Sequence, residues 1–200
     1  MIAVLDYGIG NLRSAQKALE RFHPDVRLVT SAEEAASASG VVLPGVGAFG
    51  RCMTALRATG LDRVALDAVD AGTPFLGVCI GMQMLYDGSE EDPDVRGLGI
   101  FRGQVRRLSP DVKLPQMQWN TLQISRPGPM LSGIDNGAWV YFVHSYAPEL
   151  TPDVVATCDY GGEVVAMVER ERLWATQFHP EKSSAVGLRL LGNFVAQCAA

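Results

Sequence analysis

Cys79 lies in Gly77-Val78-Cys79-Ile80-Gly81-Met82-Gln83, directly after the apolar run Pro74-Phe75-Leu76, and far downstream the chain reads Phe178-His179-Pro180-Glu181. A thiol, an imidazole and a carboxylate are the parts of a cysteine nucleophile with its general base and orienting group. Residues without side chains on either side of a cysteine let the backbone fold sharply beneath an exposed sulfur at a strand-to-helix turn. A helix beginning at Ile80 would aim unpaired N–H groups and its positive end at that sulfur, favouring thiolate over thiol. Taken alone, a cysteine after an apolar strand is more often a small buried hydrophobe than a nucleophile. The downstream histidine shifts the reading toward chemistry.

In an extended segment side chains alternate, so His179 and Glu181 can share a side with Pro180 stiffening the link between them. A carboxylate on one ring nitrogen fixes the tautomer and leaves the other nitrogen to exchange protons. Two other histidines compete for the role. His23 stands before Pro24 at the end of an expected surface helix, and His144, in Phe142-Val143-His144-Ser145-Tyr146, has no carboxylate at short spacing. His144 stays open as an alternative base.

Acyl transfer also needs N–H groups for a developing oxyanion. Pro44-Gly45-Val46-Gly47 follows the apolar run Val41-Val42-Leu43 and provides such a loop, with a further donor from the Ile80 amide. The same segment read without Cys79 is a glycine-rich turn. Gly8-Ile9-Gly10-Asn11-Leu12-Arg13 is only a partial dinucleotide fingerprint, since Arg13 stands where the third glycine would be.

The elements that would position these residues follow from hydrophobic patterning. Ile2 to Leu5 reads as a buried strand, followed by a helix with Leu12, Ala15, Leu19 and Phe22 on one face. Val26 to Val29 is a second strand, and Ser31 with Glu34 forms a capping box for the next helix. Val41 to Leu43, helical patterns from Arg51 to Ala71, and the strand Phe75 to Val78 complete a run of alternating units, which implies a mainly parallel sheet. From Gly97 the pattern changes to short strand-like runs at 139–142, 154–156, 164–166 and 173–176, richer in antiparallel pairing. A helix after Ser183-Ser184 closes the chain with Val186, Leu190, Leu191, Phe194 and Val195 facing the core. Glu90 to Asp94 and Pro127-Gly128-Pro129 read as surface loops, and no linker or repeat divides the 200 residues, so one domain is expected over 1–200.

Composition narrows the classes. Apolar residues make up 48% of the chain and charged ones 20%, which excludes disorder. A net charge of −5 with no basic, aromatic-interleaved cluster excludes a nucleic-acid footprint. Cys52, Cys79, Cys158 and Cys198 are widely spaced without a CxxC pair, so no metal site is expected and reduced thiols are the simplest reading. Only Met1 to Leu5 precede Asp6, and no apolar stretch is long enough to span a bilayer. A cytoplasmic protein without a membrane partner is the expectation.

The set Gly77-x-Cys79-x-Gly81-x-Gln83, Pro44-Gly45-x-Gly47 and His179-Pro180-Glu181 resembles the class I, triad-type glutamine amidotransferases across nearly the whole chain. Within that superfamily, Asp6-Tyr7-Gly8-x-Gly10-Asn11-Leu12, Phe142-Val143-His144-Ser145-Tyr146 and His179-Pro180-Glu181-Lys182-Ser183 are similar to the glutaminase subunits of imidazole glycerol phosphate synthases. The fold implied is three-layer α/β, a central, mostly parallel twisted sheet between helices, with added antiparallel strands in the C-terminal half. The resemblance implies Cys79 as nucleophile, His179 as acid and base, and Glu181 as orienter. It implies Gly45, Val46 and Ile80 at the oxyanion, and Gly47, Gln83, Ser145 and Tyr146 around glutamine, with no cofactor.

The resemblance further implies a (β/α)8-barrel cyclase partner, in a heterodimer, that receives ammonia through an internal channel. Asn11, Met117, Trp119, Asn120, Tyr141 and Lys182 match positions at or near that interface. The chain departs from the family's Pro-x-Met-Gly-Trp-Asn by placing Gln118 where glycine is common, in Pro115-Gln116-Met117-Gln118-Trp119-Asn120. Three other readings stay open on the sequence. They are a glutaminase subunit serving the pyridoxal phosphate or anthranilate pathway, a stand-alone cysteine hydrolase or chaperone of related architecture, and a catalytically silent binding module.

Overall fold

Strand formation at the N-terminal end follows from runs of apolar residues long enough for a strand and too short for a helix. In the computed structural model, which describes residues 1–199, β1 (Ile2–Leu5), β3 (Gly40–Gly45) and β4 (Phe75–Cys79) are buried along their whole length. Such burial on both faces marks strands covered by helices on each side. β2 (Val26–Val29) keeps Arg27 exposed and lies at the sheet's edge.

The connecting helices are α1 (Leu12–Leu19), α2 (Ala32–Ala35), α3 (Phe49–Ala58), α4 (Leu61–Asp70), α5 (Ile80–Gln83) and α6 (Ser184–Cys198). Because β2, β1, β3 and β4 lie side by side in that order, right-handed crossovers put α1 on one face and α2 to α4 on the other. α6 packs beside α1, completing three layers.

The remaining strands are β5 (Gly88–Ser89), β6 (Gln104–Arg107), β7 (Gln116–Thr121), β8 (Gln123–Ile124), β9 (Trp139–His144), β10 (Tyr146–Pro148), β11 (Val154–Asp159), β12 (Glu163–Arg170) and β13 (Leu173–Thr176). The main sheet runs β2-β1-β3-β4-β13-β12-β11-β8. Its pairings are parallel from β2 through β13 and antiparallel from β13 through β8, as the change of pattern in the sequence predicts. β10, β6 and β5 form a small sheet, and β7 pairs antiparallel with β9.

Four local expectations change. The first helix stops at Leu19, so Phe22 leaves the core-facing stripe and is 43% exposed, lying over Gly192 of α6. The helical span 51–71 is two helices interrupted at Gly60. Ser31 does accept from the Glu34 N–H at 3.3 Å, but the Glu34 carboxylate reaches the Thr30 N–H at 2.6 Å rather than that of Ser31, so the box closes one residue early. The acidic stretch 90–94 is not simply a solvated loop, because Glu91 and Asp92 turn inward onto the start of α3. At Gln118 the backbone is ordinary strand paired with Phe142, so the residue replacing the family glycine needs no special conformation.

Candidate active site

The nucleophile turn is built from close approaches of backbone. Cys79 closes β4 with φ 56° and ψ −111°, a strained conformation for a residue with a side chain, and α5 begins at the next residue. Beneath it, β3, β4 and α5 come so near that a Cβ on Gly45 would lie 2.9 Å from the Gly81 nitrogen and from Ile80 Cβ. A Cβ on Gly77 would lie 3.0 Å from the Gly81 carbonyl oxygen. Those glycines hold the turn against its strain. Helix α5 is a single turn, so no long helix dipole stands behind the sulfur.

His179 and Glu181 come from the segment after β13, where Pro180–Lys182 makes a short 3-10 turn. The His179 Nδ1 to Glu181 Oε1 distance is 2.8 Å, and the side chains are only 3% and 5% exposed. Nε2 is buried without a hydrogen-bond partner among the described residues and interacts with the Cys79 thiol, which makes no contact of hydrogen-bond length with it in this arrangement. Burial works against the imidazolium, but the Cys79 sulfur and then the Glu181 carboxylate outweigh it and raise the His179 pKa to about 10. Ser183 locks the turn, donating through Oγ to the His179 carbonyl at 2.7 Å and accepting from the Tyr141 N–H at 2.9 Å.

His144 occupies a different environment. Its Nδ1 lies 2.8 Å from the Tyr146 carbonyl, so it carries the proton there, and burial lowers its pKa to about 4. Without a carboxylate partner it stays neutral, and the geometry favours His179 as the base.

A cavity of about 370 Å³ opens over Cys79. Val46, Gly47, Ile80, Gln83, Ser145, Tyr146 and His179 line it together with Lys182, a residue expected at the partner interface. Gly45, Asn11 and Glu181 meet instead on the other side of the loop and of His179, around a much smaller space. The N–H groups of Val46 and Gly47 have no acceptor among the described residues, which leaves both available to an anionic oxygen. Gln83 is braced through its amide, which donates to the Tyr146 carbonyl at 2.9 Å and to Gln177 Oε1 at 3.0 Å, leaving its own Oε1 without a partner among the described residues.

Two site residues escape the sequence reading. Gln177 links Gln83 to the nucleophile, its amide donating to Cys79 Sγ at 3.8 Å. It immediately precedes Phe178-His179, but a buried glutamine carries no signal by itself. Glu91 lines the cavity and accepts from the Phe49 N–H at 2.8 Å, putting a carboxylate within the pocket. Its place in an acidic stretch concealed it.

Of the expected partner-facing residues, Met117 and Trp119 are 61% and 44% exposed and share one face of the β7–β9 ribbon with Tyr141 and Trp139. Trp119 and Tyr141 stack edge-on at 6.0 Å, and the face runs on to Val143 and Lys182 at the rim of the cavity. Asn120, half-buried on the other face of the ribbon, donates to the Asp159 carbonyl at 2.9 Å. No group of metal ligands occurs, and no helix is long and apolar enough to cross a membrane, among the described residues.

Comparison with known proteins gives the family of the chain. The glutamine amidotransferase class-I family matches residues 3–198. The imidazole glycerol phosphate synthase subunit HisH of Syntrophotalea carbinolica is 47% identical, covering 97% of this chain and 98% of that protein. The same subunit of Geobacillus kaustophilus is 47% identical over 98% of this chain and 96% of its own. Among solved structures, a crystal structure of glutamine amidotransferase superposes with a TM-score of 0.78 at 20% identity, covering 100% of this chain and 99% of that one. PurLQS from Thermotoga maritima gives 0.77 at 18% identity, covering 98% and 97%. Those two share the fold, whereas the HisH sequences match nearly end to end, and the chain belongs to the class-I glutamine amidotransferases and, within them, to the HisH family.

Proposed function

We propose that the protein is the glutaminase subunit of an imidazole glycerol phosphate synthase, a cytoplasmic enzyme of histidine biosynthesis, carried on one amidotransferase domain. The observation that carries this reading is the meeting of Cys79, His179 and the free N–H groups of Val46 and Gly47 at one cavity, with Glu181 bound to the far side of the His179 ring. The Cys79 thiolate attacks the side-chain carboxamide carbon of glutamine. The carbonyl electrons move to oxygen, where loop amides and the Ile80 N–H hold the charge, and each such donor is worth ~3–4 kcal/mol. The oxyanion collapses, the C–N bond breaks, and His179 gives its proton to the departing ammonia, leaving a glutamyl thioester. Water, deprotonated by His179, then releases glutamate and regenerates the thiolate.

Glu91 suits the α-ammonium of glutamine, and Gly47, Gln83, Ser145 and Tyr146 surround the rest of the substrate. Ammonia loses its nucleophilic lone pair once protonated, so it must reach its acceptor without entering bulk water. The exposed face of Met117, Trp119 and Tyr141 beside the cavity suits a partner that seals it, a (β/α)8-barrel cyclase that makes imidazole glycerol phosphate and an aminoimidazole carboxamide ribotide. Glycine in the 45–47 loop allows a peptide to rotate at low cost, so that partner and ligand align the loop only when ammonia is needed. The test is co-purification with the cyclase, followed by glutamine hydrolysis with and without the cyclase ligand. A complex whose hydrolysis rises with ligand supports the proposal. Full-rate hydrolysis by the isolated chain, indifferent to partner and ligand, contradicts it.

A further inference from the structure

The loop facing Cys79 hangs from side chains that lie outside the cavity. The Tyr7 hydroxyl donates to the Pro44 carbonyl at 2.6 Å, and the Cys52 thiol, one turn into α3, donates to the Val46 carbonyl at 3.2 Å. On the far side, Glu91 and Asp92 accept from the Phe49 and Gly50 N–H groups, each at 2.8 Å. Cys52 is fully buried and does not line the cavity. Burial raises its pKa, so it stays a thiol and remains a donor at neutral pH.

The carbonyl and the N–H of one planar trans peptide point in opposite directions. A Val46 carbonyl drawn back to Cys52 therefore turns the Gly47 N–H away from α3, toward the cavity that Gly47 lines. The Val46 N–H in turn lies between two anchored carbonyls, those of Pro44 and Val46. Of the four anchors, the thiol is the one that fixes the plane of the Val46–Gly47 peptide.

We propose that Cys52 is a positioning residue for glutamine hydrolysis: its thiol anchors the Val46 carbonyl and so keeps the Gly47 N–H turned toward the substrate, while the Gly45–Val46 peptide stays free to rotate. This rests on the reading of residues 45–47 as the loop that stabilises charge on the reacting carboxamide. A hydrogen bond of ordinary net strength corresponds to a loss of roughly three- to tenfold in the aligned population when it is removed. Cys52→Ala removes the donor, whereas Cys52→Ser keeps one of similar size.

The experiment measures glutamine hydrolysis by the full chain assembled with the cyclase, beside the rate at which iodoacetamide alkylates Cys79, read on the Cys79 peptide by mass spectrometry. Alkylation needs the thiolate but develops no oxyanion, so it is blind to the loop. Cys52→Ala is expected to lower kcat roughly three- to tenfold with alkylation unchanged, and Cys52→Ser to restore kcat to within about twofold of the parent. An unchanged kcat in Cys52→Ala overturns the proposal. So does a parallel fall of hydrolysis and alkylation in both variants, which would mean that the residue acts through general packing. A Cys79→Ala chain that still hydrolyses glutamine would instead overturn the nucleophile reading, and with that variant inactive a failure at Cys52 is a failure of the anchor alone.

Discussion

Gly45→Ala perturbs the site by a calculable amount, because Gly45 does not have a positive φ and alanine can adopt its backbone without strain. Only space is at issue. The new carbon would lie 2.9 Å from the Gly81 nitrogen and from Ile80 Cβ, and 3.0 Å from the Tyr7 hydroxyl, where ordinary contact begins at 3.4 Å. Relief requires a displacement of about 0.5 Å between the loop and α5, which carry the opposing sides of the expected oxyanion site. A misplacement of 1 Å costs on the order of a hundredfold, so half of it corresponds to roughly tenfold in kcat. Overpacking costs about 1–3 kcal/mol of stability. Gly81→Ala serves as the severe member of the series, since its added carbon would overlap the Leu43 carbonyl oxygen in β3, and the loss of kcat should exceed that of Gly45→Ala. The assay is glutaminase kcat and KM on the cyclase complex, with thermal unfolding in parallel and ammonia-dependent synthesis as the control that should not change. Parent-like kcat in both variants would refute the claim that this close approach sets the catalytic geometry.

Glu181→Gln removes the carboxylate that helps to raise the His179 pKa, so kcat should fall and the parent should melt higher than the variant at neutral pH. The sign follows from linkage. A group whose folded pKa is raised stabilises fully below its unfolded value of about 6.5, and that stabilisation drains as pH rises toward the folded value. The gap in melting temperature between parent and variant should therefore narrow as pH climbs toward about 10. His144 has the opposite sign: with its pKa lowered to about 4, the unfolded chain binds the extra proton first, and stability should fall as pH drops from about 6.5 toward 4. The loss is roughly 3 kcal/mol at a shift of this size, seen by denaturant titration and reduced in His144→Asn. Trp119→Ala, on an exposed ribbon face, should weaken cyclase affinity by more than tenfold, the effect of losing an anchor worth about 2 kcal/mol, while melting changes little. Calorimetric titration checks it, and unaltered affinity would remove this face from the interface.

How much of this could be read in the residues varies with how local each cause is. The parallel half of the sheet was legible because β1, β3 and β4 are short apolar runs closed by glycine or polar turns. Cys79, His179 and Glu181 were legible because each sits in a motif whose neighbours serve the same purpose: glycines for the close approach, and a proline between two residues that meet at 2.8 Å. Residues defined by distant partners were not. Cys52 looks like core packing until the Val46 carbonyl is found above it, Gln177 gains meaning only beside Gln83, and Glu91 is hidden in an acidic stretch whose inward turn is fixed by the N-terminus of α3. Phe22 failed for a related reason. Periodicity continued past Leu19, but the helix ended there and the ring settled on α6. The β7–β9 ribbon depends on pairing between strands far apart in sequence, which a local pattern does not encode.

On the proposed function, Cys79 frees ammonia from glutamine while the partner uses ammonia whatever its source. Synthesis by the complex of Cys79→Ala with the cyclase, measured with glutamine and separately with ammonium salt, tests it most directly. Glutamine-dependent synthesis should be lost and ammonia-dependent synthesis kept at the parent rate. Glutamine-dependent turnover that survives, or an equal loss with both nitrogen sources, would contradict it.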